Sequence, residues 1–403
     1  MRNQRFLTNI LIIIFFILIV LPVQAAHNQQ ANTNILVWGR VVKVISQVKS
    51  ASKAASNGII TQTLVVKLTS GKFRGKLVTI TNTLGMNPVY DIKVREGDGV
   101  VVSLDIQSGK IKDAGIADHL REPSVYLLIG IFIILLLLVG WNKGLKAFIT
   151  LLLTLSLVLG LLLPGILRGY DPVDLTLILA VVVTIINTLI IGGFSRKSIA
   201  SIVGTIGGLI IAGLIALKIG KAAYLTGFGT EESAMLLYLP KHVHLNIQEI
   251  LFAGIIIGTL GAVMDVSMSV ASAVEEVKRV NPSLSMMDLM KSGMNVGRDI
   301  MGIMANTLIL AYTGSSVSLL LIFMAYQDSL TLIMNLDMIA SEIVRALSGS
   351  IGMIMVVPLT AVIGGLLFSD RFLKPKLPQN KLQQQEKEDD YWEEFSKRSK
   401  SNQ

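Results

Sequence analysis

Val125-Tyr-Leu-Leu-Ile-Gly-Ile-Phe-Ile-Ile-Leu-Leu-Leu-Leu-Val-Gly140 carries no charge and no cluster of turn-forming residues. A helix rises about 1.5 Å per residue, so such a run comes close to crossing the roughly 30 Å hydrocarbon core of a bilayer. Further along the chain the same character returns at Leu145–Leu163, Leu175–Gly193, Ile199–Leu217, Ile247–Val270, Ile300–Phe323 and Ile351–Phe368. The composition agrees: of 403 residues 52% are hydrophobic and only 16% charged, where a soluble domain has about 25% charged residues. This excludes a soluble cytosolic enzyme, a disordered chain and a disulfide scaffold. The expected fold class is an α-helical polytopic membrane protein of about seven spans plus an N-terminal signal or anchor helix, with a small exported all-β domain.

Four segments are expected. Residues 1–26 hold Met1-Arg-Asn-Gln-Arg5 and an apolar run from Phe6 to Val23, read as a retained anchor helix, with a cleaved signal peptide as the alternative. Residues 27–122 are an extracytoplasmic β domain. Strands are predicted near Leu36–Ile45, Gln62–Leu68, Lys76–Thr81, Val89–Val94 and Val100–Ile106, separated by Gly, Asn, Asp and Ser. Five short strands suit a small barrel of OB or SH3-like type. Residues 123–370 are the transmembrane helical domain. Residues 371–403, with Gln383-Gln-Gln-Glu-Lys-Glu-Asp-Asp390, read as a solvated, disordered cytoplasmic tail.

The scarce charges set an orientation. With the N-terminus inside, the inner loops hold Lys143 and Lys146, then Arg196 and Lys197, then Lys278, Arg279, Lys291 and Arg298, and the tail opens with Arg371, Lys374 and Lys376. Every predicted inner loop is basic, as the positive-inside rule requires. The net charge of +9 is therefore an orientation signal, and no basic patch interleaved with aromatics points to nucleic acid. Two stretches fit neither span nor loop. Ser285-Met-Met-Asp288 reads as a capping box opening an interfacial helix with Met290 and Met294 on its apolar stripe. Ser329 to Leu347 reads as a similar interfacial or re-entrant segment outside.

The chemistry-bearing stretch lies between Gly254 and Glu276. Gly254, Gly258, Gly261 and Ala262 permit close helix packing. Asp265 then stands inside an apolar span, where an acid costs roughly 2.5–3.5 kcal/mol on insertion scales and has to face protein or water. Asp265, Ser269, Ser272 and Glu276 follow i, i+4, i+7, i+11 and so share one helical stripe. A second stripe comprises Asp299, Gly302, Asn306 and Thr313, of which the first three share a face by i, i+3, i+7 spacing. Asp265, Ser269, Ser272, Asp299 and Asn306 are the candidate intramembrane polar path; structural contacts between helices are the alternative. Arg298 is a candidate countercharge to Asp265 or Glu275, Asn187 a candidate interhelical hydrogen bond, and Glu342 and Arg345 an i, i+3 ion pair.

No catalytic residue, metal ligand or cofactor is expected. The chain has no cysteine, and neither H-E-x-x-H, G-x-S-x-G nor a P-loop occurs. Of the four histidines only His242 and His244 are close, and their i, i+2 spacing puts them on different helical faces. Glu275-Glu276-Val-Lys-Arg279 is similar to the Glu-Glu-x-x-x-Arg of CAAX-type membrane proteases, but the Arg is one residue too near and the intramembrane histidines are missing.

Gly261-Ala-Val-Met-Asp265-Val-Ser-Met-Ser-Val-Ala-Ser272 resembles the YibE/F family of bacterial membrane proteins. So do Gly297-Arg-Asp-Ile-Met-Gly302 through Tyr312, and Glu342-Ile-Val-Arg345 through Gly349-Ser-Ile-Gly352 to Pro358-Leu-Thr360. The likeness runs from about Arg121 to Phe368, and the exported segment is similar to that of longer members. It implies a multi-pass protein of the bacterial cell membrane and assigns no catalytic or ligand residues. The function expected is a permease moving a small solute or ion, in contact with the lipid bilayer. The alternative is a non-enzymatic scaffold or regulatory subunit, whose β domain binds an outside partner and whose spans pair with a second membrane subunit or a second copy.

Overall fold

A computed structural model describes residues 34–50, 59–85, 91–107, 109–239, 245–326 and 329–369. The N-terminal signal or anchor run, the tail from 371, and His27, His242 and His244 lie outside them. The described residues form two compact units, one ending at Leu145 and one beginning at Lys146.

The first unit holds an antiparallel sheet of five strands, β1 (Asn34–Ser50), β2 (Ile59–Leu68), β3 (Leu77–Leu84), β4 (Gly99–Gln107) and β5 (Lys110–His119), in the order β3-β2-β1-β4-β5. β1 is long enough to pair with β2 and β4 together, and register shifts at Val41/Lys43 and Val44/Ser46 curl it. The outer strands β3 and β5 approach each other, which nearly closes a barrel. Val37, Val41, Leu64, Val66, Leu68, Ile80, Val100, Val102 and Leu104 alternate inward and fill it. Gly39 stands where β1 crosses this core: a Cβ there would lie 2.6 Å from Val66 Cγ1 and 3.0 Å from Val102 Cγ2.

The strand set differs from expectation at two places. Residues 91–95 are not a strand; residues 89 and 90 lie outside the described residues. Side chains hold this segment instead of a ladder. The buried Gln62 donates to the Val94 carbonyl (3.2 Å), and Asn82 donates to the Ile92 carbonyl (2.8 Å). The fifth strand is β5. Its Lys110, Lys112 and Asp113 mask the alternation of Ile111, Ala114 and Ile116, because this outer strand is only partly buried.

Helix α1 (Glu122–Leu157) follows β5 at once. It breaks at Trp141, whose φ of 47° and ψ of −130° are outside helical space. A Cβ on Gly144 would collide with the Leu136 carbonyl oxygen. In a straight helix those residues are about 12 Å apart, so the chain reverses direction here. The reversal falls between the first two predicted spans.

In the second unit a π-helical turn (Val158–Leu162) and α2 (Leu163–Leu167) lead to α3 (Pro172–Gly192) and α4 (Arg196–Ala222). Next come α5 (Glu231–Met235), α6 (Ile247–Val280), α7 (Met286–Ser315), α8 (Val317–Tyr326), α9 (Leu330–Asn335) and α10 (Asp337–Phe368). Their starts are written locally. Asp171, Ser195, Asn246 and Ser285 each accept a backbone N–H of the first turn that would otherwise lack a partner. The Ser285 hydroxyl also donates to Asp288 at 2.6 Å.

Two expected interfacial segments are instead parts of long helices. Met286 to Arg298 continues without a break into α7, and Asp337 to Leu347 is the first part of α10. Their polar residues lower the local hydropathy without interrupting the helix. Among the described residues five helices are long and apolar enough to cross a membrane, six if α7 and α8, bent by 63°, form one span. That count takes residues 122–167 as one element across the break at Trp141.

The core is a seam of small residues between α4 and α10. A Cβ on Gly352 would sit 2.6 Å from Ala212 Cβ and 2.9 Å from the Gly208 carbonyl, and one on Gly204 would overlap the Thr360 hydroxyl. α6 closes the triangle. Its Ser267 hydroxyl donates to the Ser201 carbonyl on α4 (2.8 Å) and lies 3.0 Å from Thr360 Oγ1 on α10. A hydroxyl has one proton, so Thr360 supplies the proton in the second bond. Gly352→Ala is expected to overpack this seam and destabilise the helical unit by about 1–3 kcal/mol. Gly130→Ala, whose added methyl meets nothing within 4 Å, is expected to be neutral or slightly stabilising. Thermal unfolding midpoints in detergent check both.

Candidate functional site

α6 has two unlike faces. Phe252, Ile256, Val263, Val270 and Val274 are fully buried against neighbouring helices. On the opposite side the strip reads Gly254, Gly258, Gly261, Asp265, Ser269 and Ser272. Gly258, Gly261, Asp265 and Ser269 are exposed, and Gly254 and Ser272 are partly so. On α1, by contrast, the uncovered surface is apolar, as at Leu127, Leu128, Leu135 and Leu138. This strip of α6 has no large apolar side chain of its own; at Gly258 Tyr312 of α7 lies beside it, its hydroxyl 2.7 Å from where a Cβ would be. Among the described residues Asp265 has no hydrogen-bond or ion-pair partner.

The second stripe is apart from the first. Asp299, Gly302 and Asn306 are exposed on α7. They lie on the far side of that helix from Leu289, Gly293 and Gly297, which it buries. Gly293 and Gly297 are the points where α7 meets α6 and α10: a Cβ on Gly293 would lie 2.7 Å from Val274 Cγ2 and one on Gly297 3.2 Å from Val270 Cγ2. No hydrogen bond among the described residues joins Asp265 to Asp299 or Asn306.

The charges near the ends of the helices have other partners than expected. Glu275 pairs with Lys197 at the start of α4 (2.8 Å), not with Arg298. Glu276 pairs with Arg279 (2.6 Å). Asn187 donates to the Thr154 hydroxyl (3.0 Å), the interhelical bond expected of it. Glu342 and Arg345 approach within 3.3 Å, as their spacing predicts.

The sequence did not point to a cavity of about 260 Å³ where the loop after α4 and the starts of α6 and α10 converge. Its lining includes Gly227, Thr230, Gly254, Ser341, Glu342 and Arg345. The loop at its rim is tightly held. Gly227 has a φ of 84°, and a Cβ there would lie 2.5 Å from the Ile247 carbonyl. Thr226 donates its N–H and its hydroxyl to Asp337 (3.0 and 2.8 Å). Ser341 is 3% exposed, and its hydroxyl has no partner among the described residues. Gly254 belongs both to the cavity and to the open strip of α6. Where its Cβ would be, Arg345 Nη1 is 3.6 Å away. The available local signals were the glycines of Thr226-Gly-Phe-Gly-Thr230 and the Glu342/Arg345 spacing. Neither says that three distant segments meet.

Residues 128–370 match the family model described as YibE/F-like protein, and residues 37–119 match that described as YibE/F family N-terminal domain. No curated protein and no solved structure matches the chain.

Two neighbouring polar residues of α6 are expected to behave oppositely. Ser267→Ala leaves the Thr360 hydroxyl buried without its partner and is expected to lower stability by about 1–3 kcal/mol. Asp265→Asn breaks no contact within the described chain and is expected to leave the unfolding midpoint unchanged. Thermal denaturation of the purified variants compares them.

Proposed function

This chain belongs to the YibE/F-like family, and from that premise we propose that it is a multi-pass permease moving a small solute or ion along the open strip of α6. Its long apolar helices mark it as a membrane protein. The permease role rests on one observation: the uncovered strip of α6 is small and polar from Gly254, in the cavity, down to Asp265 and Ser272. A lipid-facing strip gains from burying apolar area, about 25 cal/mol per Å²; glycines and hydroxyls gain almost nothing. An intramembrane acid without a protein partner calls for water or a solute beside it. The protein is non-enzymatic in this proposal, lies in the bilayer and engages no nucleic acid.

The orientation follows from charge. Asp171, Asp174, Glu231, Glu232 and Asp337 lie at the end of the bundle where α6 and α10 begin. Arg196, Lys197, Lys278, Arg279 and Lys291 lie at the other. The basic end is cytoplasmic by the positive-inside rule, so the cavity faces out. In this proposal residues 122–167 are two spans joined at Trp141, the bundle has seven spans and the β barrel is outside, the termini being cytoplasmic if the first apolar run is retained. That barrel is of the OB type in this proposal, being five-stranded and partly open.

A second role is favoured by the exposed stripe Asp299, Gly302 and Asn306, which suits a helix of another membrane subunit or of a second copy. Co-purification of a stoichiometric partner that Asn306→Leu abolishes would support it.

Because the chain has no cysteine, single-cysteine labelling reports topology directly. Gln107→Cys is expected to react with an impermeant maleimide in intact cells, and Lys278→Cys only after permeabilisation. Labelling of Lys278→Cys from outside would overturn the orientation. Solute-driven currents in proteoliposomes are expected to fall at least about ten-fold in Asp265→Asn, the equivalent of roughly 1.4 kcal/mol. Unchanged currents would remove Asp265 from the path.

A further inference from the structure

We propose that the outward cavity is a binding site for a small zwitterion of amino-acid size with an apolar side chain, its carboxylate on Arg345 and its ammonium on Glu342. This deepens the permease proposal and rests on it only for the claim that the bound molecule is cargo.

Three polar groups converge there with unused bonding capacity. The Ser341 hydroxyl is buried and unpartnered. Arg345 approaches Glu342 through Nε at 3.3 Å, yet that Nε has no well-formed hydrogen bond. The two Nη groups have no partner among the described residues, so the fork that binds carboxylates bidentately is free. A buried polar group left unpaired costs about 1–3 kcal/mol. Two such atoms at one cavity, Ser341 Oγ and Arg345 Nε, mark a place where a bound molecule makes the missing bonds.

The charges select the ligand. Glu342 and Arg345 are one turn apart on one face of α10, and their side chains are about one quarter exposed (25% and 23%). A simple anion on Arg345 would face the Glu342 carboxylate, and a simple amine on Glu342 would face the guanidinium. A molecule carrying both charges on neighbouring atoms pairs with both. Beside the hydroxyls of Thr230 and Ser233 the wall also holds Ile247, Ile250, Leu251 and Met338, an apolar portion that suits an aliphatic side chain. The volume of about 260 Å³ lies below the roughly 300–1,000 Å³ of drug-sized sites, which limits the occupant to a small solute.

The test is calorimetric titration of the full-length protein in lipid nanodiscs. L-leucine is the probe; 4-methylpentanoate keeps only its carboxylate, and 3-methylbutylamine only its ammonium. Leucine is expected to bind, and each single-charge analogue at least ten-fold more weakly. Arg345→Lys keeps the charge without the fork and is expected to weaken leucine binding ten-fold or more. Ser341→Ala removes no bond made within the described chain, so it is expected to fold like the parent and bind leucine several-fold more weakly. No heat with leucine, an analogue binding as tightly as leucine, or unchanged affinity in both variants would overturn the site. Leucine binding without leucine flux in proteoliposomes would support the site and count against the permease role alone. Flux of another solute without leucine binding would overturn the site alone.

Discussion

The hydroxyl-bonded seam of α4, α6 and α10 is the contact on which the helical unit depends. Gly204, Gly208 and Gly352 let α4 and α10 approach until carbonyls and methyls touch. At that distance Ser267 can reach the Ser201 carbonyl and the Thr360 hydroxyl together. In a bilayer, apolar side chains gain little by leaving lipid for another helix. Close van der Waals packing and interhelical hydrogen bonds take over that role. The seam engages the apolar face of α6 completely and leaves its opposite face uncovered. The open strip is thus a consequence of where the three helices lock.

The same seam explains the cavity. With α4, α6 and α10 held along their lengths, the loop leaving α4 has to pass over the starts of α6 and α10. Gly227 supplies the left-handed backbone this requires, and Thr226 fastens the loop to Asp337. The space beneath that loop is lined by Gly254, Ser341, Glu342 and Arg345. A rigid scaffold with a strapped loop can hold polar groups unpaired, since none of the elements around them is free to collapse inward.

Much of the fold was legible because its signals are local. Apolar runs mark the long helices, and Ser285 three residues before Asp288 marks the start of α7. The readings that failed depended on distant neighbours. Residues 91–95 are held by Gln62 and Asn82 from other strands, and β5 is hidden by the charges that a partly buried outer strand tolerates. The partner of Glu275 comes from α4, far away in the chain. Of the candidate site, the alignment of Asp265, Ser269 and Ser272 on one face follows from spacing. The cavity does not, since its wall is assembled from three separate segments.

Sequence alone determined that this is a membrane protein with a separate β segment, because hydropathy, charge and helical period are properties of short stretches. It also placed Asp265 within an apolar helix on a stripe of small and polar residues. Only the tertiary structure decided that this stripe is uncovered, that the α7 stripe points elsewhere, and that Ser341 and Arg345 share a cavity with Glu342. Those facts turn on which helix faces are used up by packing. That is set by the fit of Gly208 against Gly352 and the reach of Ser267, contacts between residues far apart in the chain.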